Sequence, residues 1–583
     1  MKKLLLLPIL LFILVSFQGN FYTSKVSKDA ARVMGSISEQ DSVLCWVFFK
    51  DKGPESERYF SNPLLVVTEK SLERRAKYYG DAPLLDESDL PVYHGYIDAL
   101  AKMGLFVRGK SKWLNGVSVY VSKKELPLLE NQAFVNSIDL VARYSKKFQS
   151  QDKNYFYDDS RGNKKDKREL FELDYGNSFT QNSQINVTAL HNLGITGSGV
   201  VICVLDAGFN LLEHEVFNQM IILNKWDFVN GDGGVGDSLD MGSGDHGTKV
   251  LSAIGGYKPG KLIGPAYGAS YLLAKTENTD SETPVEEDNW IAAIEWADSL
   301  GADVATSSLG YLEYDDPSQS YTWEDMDGNT ARITRAADLA VGKGIAVFVS
   351  AGNEGLELTH NTLGAPADGD SVISVGAVDA DGERAYFSSV GPTADGRIKP
   401  DIMAMGQSTR VASSVNPIGY TTSSGTSFSC PIAAGAGALI LSQRKNISPV
   451  ELANALRSTA DNSVIPNREY GWGILNAFDA LQSIPATDID EASSAPAGFT
   501  LFNNYPNPFN PSTRIDFEIS ENSEIQADLY NSAGEKVIQV VKANYSVGKH
   551  SIQLDASEFN SGVYFLKISS SKGTKVLKLV LAK

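Results

Sequence analysis

The sequence predicts an α/β core with a mostly parallel sheet and helices on both faces. An α+β unit precedes it and a small all-β sandwich follows. Three observations carry that prediction. Val200-Val201-Ile202-Cys203-Val204-Leu205 is a nearly continuous apolar run rich in β-branched residues, the pattern of a strand buried on both faces of a parallel sheet. Ile432 to Leu441 is an apolar, Ala/Gly-rich stretch that reads as a buried helix. Beyond residue 512, short alternating segments separated by glycine turns read as antiparallel strands.

In chain order, Met1-Lys2-Lys3 and the apolar run Leu4 to Phe17 form a basic n-region and a short h-region, a secretory signal over residues 1–19. The run is too short for a comfortable membrane span and no other long apolar run exists, so the mature chain is expected to be soluble, with no transmembrane segment. Residues 40–147 read as a separate unit. Val43 to Phe49 is a strand, Ser88 to Met103 is mixed and partly helical, and Leu105 to Arg108 and Val117 to Val121 are two more strands. Lys123 to Asn131 reads as a helix and Val135 to Val141 as a last strand, an order that approximates an α+β ferredoxin-like module. Ser150 to Lys167 is polar and rich in Asp, Lys and Asn, which suits an exposed, protease-accessible linker over 148–174. The α/β core takes 175–485, and 486–498 is a second linker. Residues 499–583 carry strands at Arg514 to Ile519, Ile525 to Tyr530, Lys536 to Val541, His550 to Leu554, Val563 to Ile568 and Lys575 to Leu581. Cysteine occurs at 45, 203 and 430 only, so no disulfide framework is expected, and Cys203 and Cys430 read as buried thiols.

Ser427 sits in Ser424-Gly425-Thr426-Ser427-Phe428-Ser429-Cys430-Pro431, at the first turn of the apolar helix. There a backbone N–H lacks an intrahelical acceptor and the helix dipole adds partial positive charge. A serine is a weak nucleophile until a base takes its proton. His246, in Asp245-His246-Gly247-Thr248, offers that base. Asp206 emerges at the carboxyl end of the apolar strand, where α/β sheets form their sites. The chain order is Asp, His, Ser, at separations of 40 and 181 residues. Taken singly, a serine before a helix is an N-cap and an aspartate ending a strand is a turn former. The constellation carries the reading. His94, His191, His214, His360 and His550 lack such a context and read as surface or packing residues.

Order discriminates among folds with the same triad. An α/β-hydrolase runs Ser, acid, His with G-x-S-x-G, which Ser429 breaks; a chymotrypsin-type chain runs His, Asp, Ser; Asp, His, Ser is the subtilisin order. With that order, residues 175–485 resemble the subtilisin-like serine peptidases, the subtilase family. Four further segments share the resemblance: Tyr175-Gly176 with Thr188 to Gly199, Ser307-Ser308-Leu309-Gly310, Ser350-Ala351-Gly352-Asn353-Glu354-Gly355, and Tyr470 to Ala477. It implies a serine endopeptidase acting on polypeptides. Ser427 would be the nucleophile, His246 the general base and acid, and Asp206 the group that orients the imidazole. Asn353 and the Ser427 N–H would form the oxyanion hole. Ser308, Leu309, Gly310, Ser350, Ala351 and Gly352 would bind substrate. Gly310, Ala351 and Gly352 are small, which opens the first subsite to a bulky apolar side chain, and Glu354 tolerates a basic one. The chemistry requires no cofactor. Two small departures from the family pattern, Ala207 and Ser429, remove no catalytic group.

The flanking units carry resemblances of their own. Trp113-Leu114-Asn115-Gly116-Val117 makes residues 40–147 similar to the inhibitory propeptides of subtilisin-like enzymes, which implies a zymogen cleaved between Lys147 and Tyr175. Tyr505-Pro506-Asn507-Pro508 and Lys575 to Val580 make the tail resemble the C-terminal sorting domain of type IX secretion cargo. That implies the type IX machinery as a partner, with secretion or attachment at the cell surface.

Charge bears on partners. Residues 176–485 hold 16 Lys/Arg against 37 Asp/Glu, and residues 101–147 hold 9 against 3. The two would attract at low salt, although acidity also simply keeps an exported chain soluble. A phosphate backbone would be repelled, which argues against nucleic acid. Many relatives in the resembled family bind structural Ca²⁺. Asp227, Asp232, Asp237, Asp240 and Asp245, and the run Asp325-Met326-Asp327-Gly328-Asn329, present closely spaced hard oxygen ligands of the kind Ca²⁺ takes. Neither run completes an EF-hand, so the metal site is left open. A second reading also stays open, a surface adhesion protein that kept the scaffold without turnover. A decayed enzyme would have lost one of Asp206, His246, Asn353 or Ser427, and all four are present.

Overall fold

The computed structural model describes residues 24–142, 173–485 and 499–583, apart from positions 40, 80, 81, 237–240, 243, 503, 505, 532, 533 and 572. The predicted signal, the second linker and nearly all of the first linker lie outside the described residues.

The N-terminal unit begins with helix α1 (Lys28–Ser36) and strand β1 (Ser42–Phe49), followed by helices α2 (Glu69–Tyr79) and α3 (His94–Lys102). Strands β2 (Val107–Ser111) and β3 (Gly116–Ser122), helix α4 (Leu126–Glu130) and strand β4 (Val135–Ala142) complete it. The sheet order is β2-β3-β1-β4, all antiparallel, the ferredoxin-like arrangement expected. Two elements differ from the sequence reading. The second strand starts at Val107, because Gly104 and Leu105 close α3 through backbone bonds to Ala101 and Leu100. The helix expected from Lys123 is a short one beginning at Leu126. Pro127 belongs in a first helical turn, and the Glu125 carboxylate caps Ser122 instead. Helices α1 and α2 go unpredicted.

Strand β1 serves two cores because successive side chains point to opposite faces. Val43, Cys45, Val47 and Phe49 face the unit's own core. Leu44 and Trp46 face outward and, with Val141, pack on Val285 of the central domain.

In the central domain the main elements are α5 (Val187–Asn192), β5 (Val201–Asp206), β6 (Ile221–Asp227), α6 (His246–Gly255), β7 (Ser270–Lys275), α7 (Val285–Leu300) and β8 (Val304–Ser307). Helix α8 (Arg332–Gly342), strands β9 (Ala346–Ser350), β10 (Ile373–Val378) and β11 (Ile402–Met405), and helices α9 (Thr426–Gln443) and α10 (Ala477–Ser483) follow. Seven parallel strands run in the order β11-β10-β9-β8-β5-β7-β6. Every residue of β5 is buried. Ile202 and Val204 join the core shared with α6 and α9, while Val201, Cys203 and Leu205 join the core shared with α7 and α8. The chain leaves β5 for β6 and β7 on one side and returns for β8 on the other. The carboxyl end of β5 is thus the switch point where such sheets open a crevice.

Strands β12 (Phe499–Leu501) to β18 (Gly573–Leu581) build the C-terminal unit. With β13 (Ser512–Ile519), β14 (Ser523–Asn531), β15 (Lys536–Tyr545), β16 (Gly548–Asp555) and β17 (Gly562–Ser570) between them, they form a three-stranded sheet β12-β13-β16 facing a four-stranded sheet β15-β14-β17-β18. The two enclose a core of their own, the expected sandwich. It touches the central domain where Phe565 meets the Phe478 ring edge-on at 4.9 Å and Asn192 Nδ2 donates to Gly534 O at 2.7 Å. No described helix is long and apolar enough to cross a membrane.

Trp46 Nε1 donates to Asp288 Oδ1 at 2.6 Å across the boundary between the first two units. Burial pushes the Asp288 carboxyl up to about 7, against the lowering effects of Arg332 and of the Trp46 bond. Burial thus favours the protonated form. The folded chain is therefore least penalised at and below the ordinary aspartate value of ~4, and the cost of burying the ionised carboxylate grows as pH rises toward about 7. Asp288→Asn should raise the melting temperature of the full chain more at about pH 8 than at about pH 5. Equal gains at the two values would mean that Asp288 does not titrate at this contact.

Candidate active site

Asp206, the last residue of β5, is fully buried. Its Oδ1 takes the Ala207 N–H at 2.8 Å and lies 2.8 Å from His246 Nδ1. Its Oδ2 has no partner among the described groups. Burying a carboxylate is costly without an ion or hydrogen-bond partner, so the imidazole belongs to the structure as much as to any chemistry. His246 opens α6, its side chain partly exposed, with the Phe428 ring 5.6 Å from its own. Burial alone would push the imidazole down, but the Asp206 carboxylate outweighs it and holds His246 above its ordinary value.

Helix α9 is buried from Thr426 to Ser442 and apolar all round, as a helix through the centre of a domain must be. Gly425 precedes it with φ +152°, a backbone that glycine supplies without strain. Ser427 therefore stands in the first turn, with its N–H among those that no intrahelical acceptor reaches. Its Oγ donates to Ser308 O at 3.3 Å, and Ser308 Oγ donates back to Ser427 O at 2.8 Å. No hydrogen bond joins Ser427 to His246 among the described contacts.

Asn353 follows β9 in an exposed loop. Its Oδ1 accepts from Thr426 N at 2.9 Å and lies 3.0 Å from Thr426 Oγ1. A backbone N–H can only donate, so the amide oxygen must face Thr426 and the Nδ2 donors are left for the cleft. Thr426 also links the loop to the helix through Gly352 N at 3.3 Å.

The structure thus brings Asp206 and His246 together, sets Ser308 on Ser427, and orients Asn353 through the residue before Ser427. Of the other candidates, Leu309 is half-buried and Gly310 exposed with open space at its Cα, while Ser350 and Ala351 are buried. Sequence reasoning missed Thr426 and Ser308 as positioning groups. A threonine beside the nucleophile is a weak signal, because a first-turn hydroxyl is common.

The acidic loops singled out for Ca²⁺ are otherwise engaged where they are described. Asp227 pairs with Lys275 at 3.0 Å and caps Val229 and Asn230. Asp232 caps Gly234, Asp245 pairs with Lys249 and Ser414, and Asp237 and Asp240 lie outside the described residues. Asp325 caps Thr322, and Asp327 caps Asn329 and Thr330. A different set comes together, with Glu277, Glu282 and Glu286 bringing carboxylate oxygens within 4.8 Å of one another. Burial pushes Glu277 up to about 7, and Glu282 and Glu286 are raised by burial and by their neighbours' charge. Hard oxygen donors of this kind suit a divalent cation or shared protons. Their spacing in the chain offers no metal signature to read.

Comparison with known proteins follows the same three units. The Subtilase family model matches residues 197–473, the model of the Peptidase S8 propeptide domain of Bacteroidota matches 44–155, and that of the secretion system C-terminal sorting domain matches 503–582. Subtilisin DY of Bacillus licheniformis is 33% identical over 290 residues, covering 50% of this chain and 93% of its own. Subtilisin of Bacillus pumilus is 34% identical over 303 residues, covering 52% of this chain and 97% of its own. A solved protease of Pseudoalteromonas arctica aligns over 53% of this chain and 99% of its own, at TM-score 0.43 and 23% identity.

The His246 imidazole should titrate above the ordinary histidine value of ~6.5. Asp206→Asn removes the raising charge and leaves the burial, so the same titration should fall below that value. Imidazole proton shifts followed against pH in the two chains decide this, and an unchanged midpoint in the variant would contradict the assigned cause.

Proposed function

The chain belongs to the subtilase family, and from that premise we propose that it is an exported zymogen whose central domain cuts polypeptides through Asp206, His246 and Ser427. The observation that carries the reading is the Asp206–His246 contact at the carboxyl end of the buried strand β5, with the imidazole 5.6 Å from the ring of Phe428, the residue that follows Ser427 in the first turn of a buried helix.

The chemistry follows from the atoms. Rotation of the Ser427 hydroxyl away from Ser308 O points its proton at His246 Nε2. As Oγ attacks the scissile carbonyl, His246 takes the proton, and the Asp206 carboxylate stabilises the imidazolium. Negative charge moves to the carbonyl oxygen, where Ser427 N–H and Asn353 Nδ2 supply fixed donors. Collapse of the tetrahedral species breaks the C–N bond, and His246 passes its proton to the leaving amine. A water activated by the same imidazole then releases the acyl group. None of these steps needs a cofactor.

Ser308, Leu309 and Gly310 would pair with substrate backbone, and the open space at Gly310 supports a preference for bulky apolar side chains. Residues 40–147 would act as the inhibitory propeptide, released by cleavage between Lys147 and Tyr175. The C-terminal sandwich carries the sorting signal for export, with the type IX machinery as its partner and the cell surface or medium as its destination.

A fluorophosphonate probe on the chain freed of residues 40–147 should label Ser427, and Ser427→Ala should abolish labelling. No labelling of the freed chain would sink the enzyme reading in favour of a non-catalytic surface protein. Asn353→Ala should lower kcat by ~10²–10³ with little change in KM, a range whose reference measurement is on a subtilisin. A cleavage profile dominated by acidic residues would contradict the subsite reading.

A further inference from the structure

Residues 53–79 and 82–90 belong to an arm between β1 and α3 that reaches the far end of α7. The sheet of the N-terminal unit contacts α7 at Asp288 and at Glu295, whose carboxylate takes Ser111 Oγ at 2.5 Å, Lys112 N at 2.9 Å and Trp113 N at 3.1 Å. The arm contacts Asp298, ten residues and roughly 15 Å along the helix from Asp288, where Lys112 Nζ from the turn of the sheet also stands 3.7 Å from Oδ2.

Arg74 and Arg75, both on α2, are fully buried. Arg74 Nη2 meets Asp298 Oδ1 at 2.5 Å, Nη1 donates to Ala302 O at 2.5 Å and Nε to Lys343 O at 3.2 Å. Those carbonyls lie just past the carboxyl ends of α7 and α8, where unpaired C=O groups and the helix dipoles favour a cation. Arg75 Nη2 meets Asp298 Oδ2 at 2.7 Å and Asp89 Oδ1 at 2.8 Å. From the central domain Lys343 Nζ reaches back to Asp86 at 2.8 Å and Asp89 at 3.0 Å. Burial pushes Asp298 up, yet Arg74, Arg75 and Lys112 outweigh it and hold the carboxyl below its ordinary range. Gly344, at φ +93°, closes the fit, because a Cβ there would stand 2.5 Å from the Tyr78 ring. This network straddles two units that a cut in the intervening linker turns into separate chains.

We propose that the arm is a second anchor beside the sheet contact, and that its buried charge pairs set how slowly the N-terminal unit dissociates once the linker is cut. The proposal rests on the reading of residues 40–147 as an inhibitory propeptide. Truncating one partner of a desolvated, hydrogen-bonded charge pair acts mainly on the dissociation rate, because the remaining charge loses its partner. A buried network is also screened little by salt.

The test uses the full chain carrying Ser427→Ala and a recognition sequence for a specific protease within residues 150–167. After cutting, dissociation of the N-terminal fragment is followed by size exclusion and by displacement of a labelled fragment. The cut complex should stay together, Arg74→Ala/Arg75→Ala should release the fragment ~10²-fold faster, and the off-rate should change little between about 0.15 M and 1 M salt. Asp298→Asn, made on the other side of the contact, gives the same readout where the double arginine variant does not fold. Equal off-rates with and without the arginines or Asp298 would overturn the proposal, as would tenfold faster release in high salt, which marks general charge attraction. The inhibitor role is read on the cut chain with Ser427 intact. Fluorophosphonate labelling should appear only after the fragment is stripped off, and equal labelling before and after would overturn that role. No labelling even after stripping is a failure of the enzyme reading alone and leaves the off-rates to decide the anchor.

Discussion

The contact between Asp206 and His246 exists because β5 is buried on both faces. A strand with Ile202 and Val204 in one core and Val201, Cys203 and Leu205 in the other cannot shift register without exposing one set and stranding the other. That fixes where the strand ends and delivers a carboxylate, wholly removed from solvent, to the switch point of the sheet. There the charge is answered on one oxygen only, by Ala207 N and His246 Nδ1. A carboxylate answered on one side gains most when the imidazole beside it becomes positive. The same arrangement that burdens the fold at rest therefore stabilises the charge separation a proton transfer creates.

Helix α7 shows how charge can be structural without being catalytic. Trp290, Ile291, Ile294 and Ala297 bury themselves against the sheet, while Asp288, Glu295 and Asp298 recur at spacings of seven and three along another stripe. On an isolated domain that stripe would be a solvated face. Here each carboxylate meets a donor from the N-terminal unit: Trp46 at the first, the Ser111 to Trp113 turn at the second, Arg74 and Arg75 at the third. The overall charge difference between residues 101–147 and the central domain is too coarse to find this. The decisive cations are two arginines in another segment, matched to single carboxylates by geometry.

What could be read in advance follows from whether the signal is local. The run ending at Asp206, the order Asp, His, Ser, the apolar helix behind Ser427 and the alternating strands of the tail are written in neighbouring residues. The fold was therefore legible, and so was the pairing of Asp206 with His246. The arm was not, because Arg74 and Arg75 on an amphipathic helix look like surface charge until the partner helix ends are in place. The grouping of Glu277, Glu282 and Glu286 depends on a loop folding back on the start of α7. Of the aspartates singled out for a cation, Asp227 is drawn into the Lys275 pair, and Asp325 and Asp327 into caps on backbone N–H groups. Composition identifies hard ligands; only the turn geometry decides whom they serve.

Three contacts of the candidate site are formed while the N-terminal unit is docked. Asp206 already holds His246, Thr426 already turns Asn353, and Ser308 already fixes the Ser427 backbone. The Ser427 hydroxyl is turned to Ser308 O by a bond of 3.3 Å, and a hydroxyl rotates on a timescale far shorter than a typical turnover. On the proposed reading, docking would therefore restrain the chain not by distorting these contacts but by limiting access to the cleft. The buried contacts along α7 would then set when the chemistry begins.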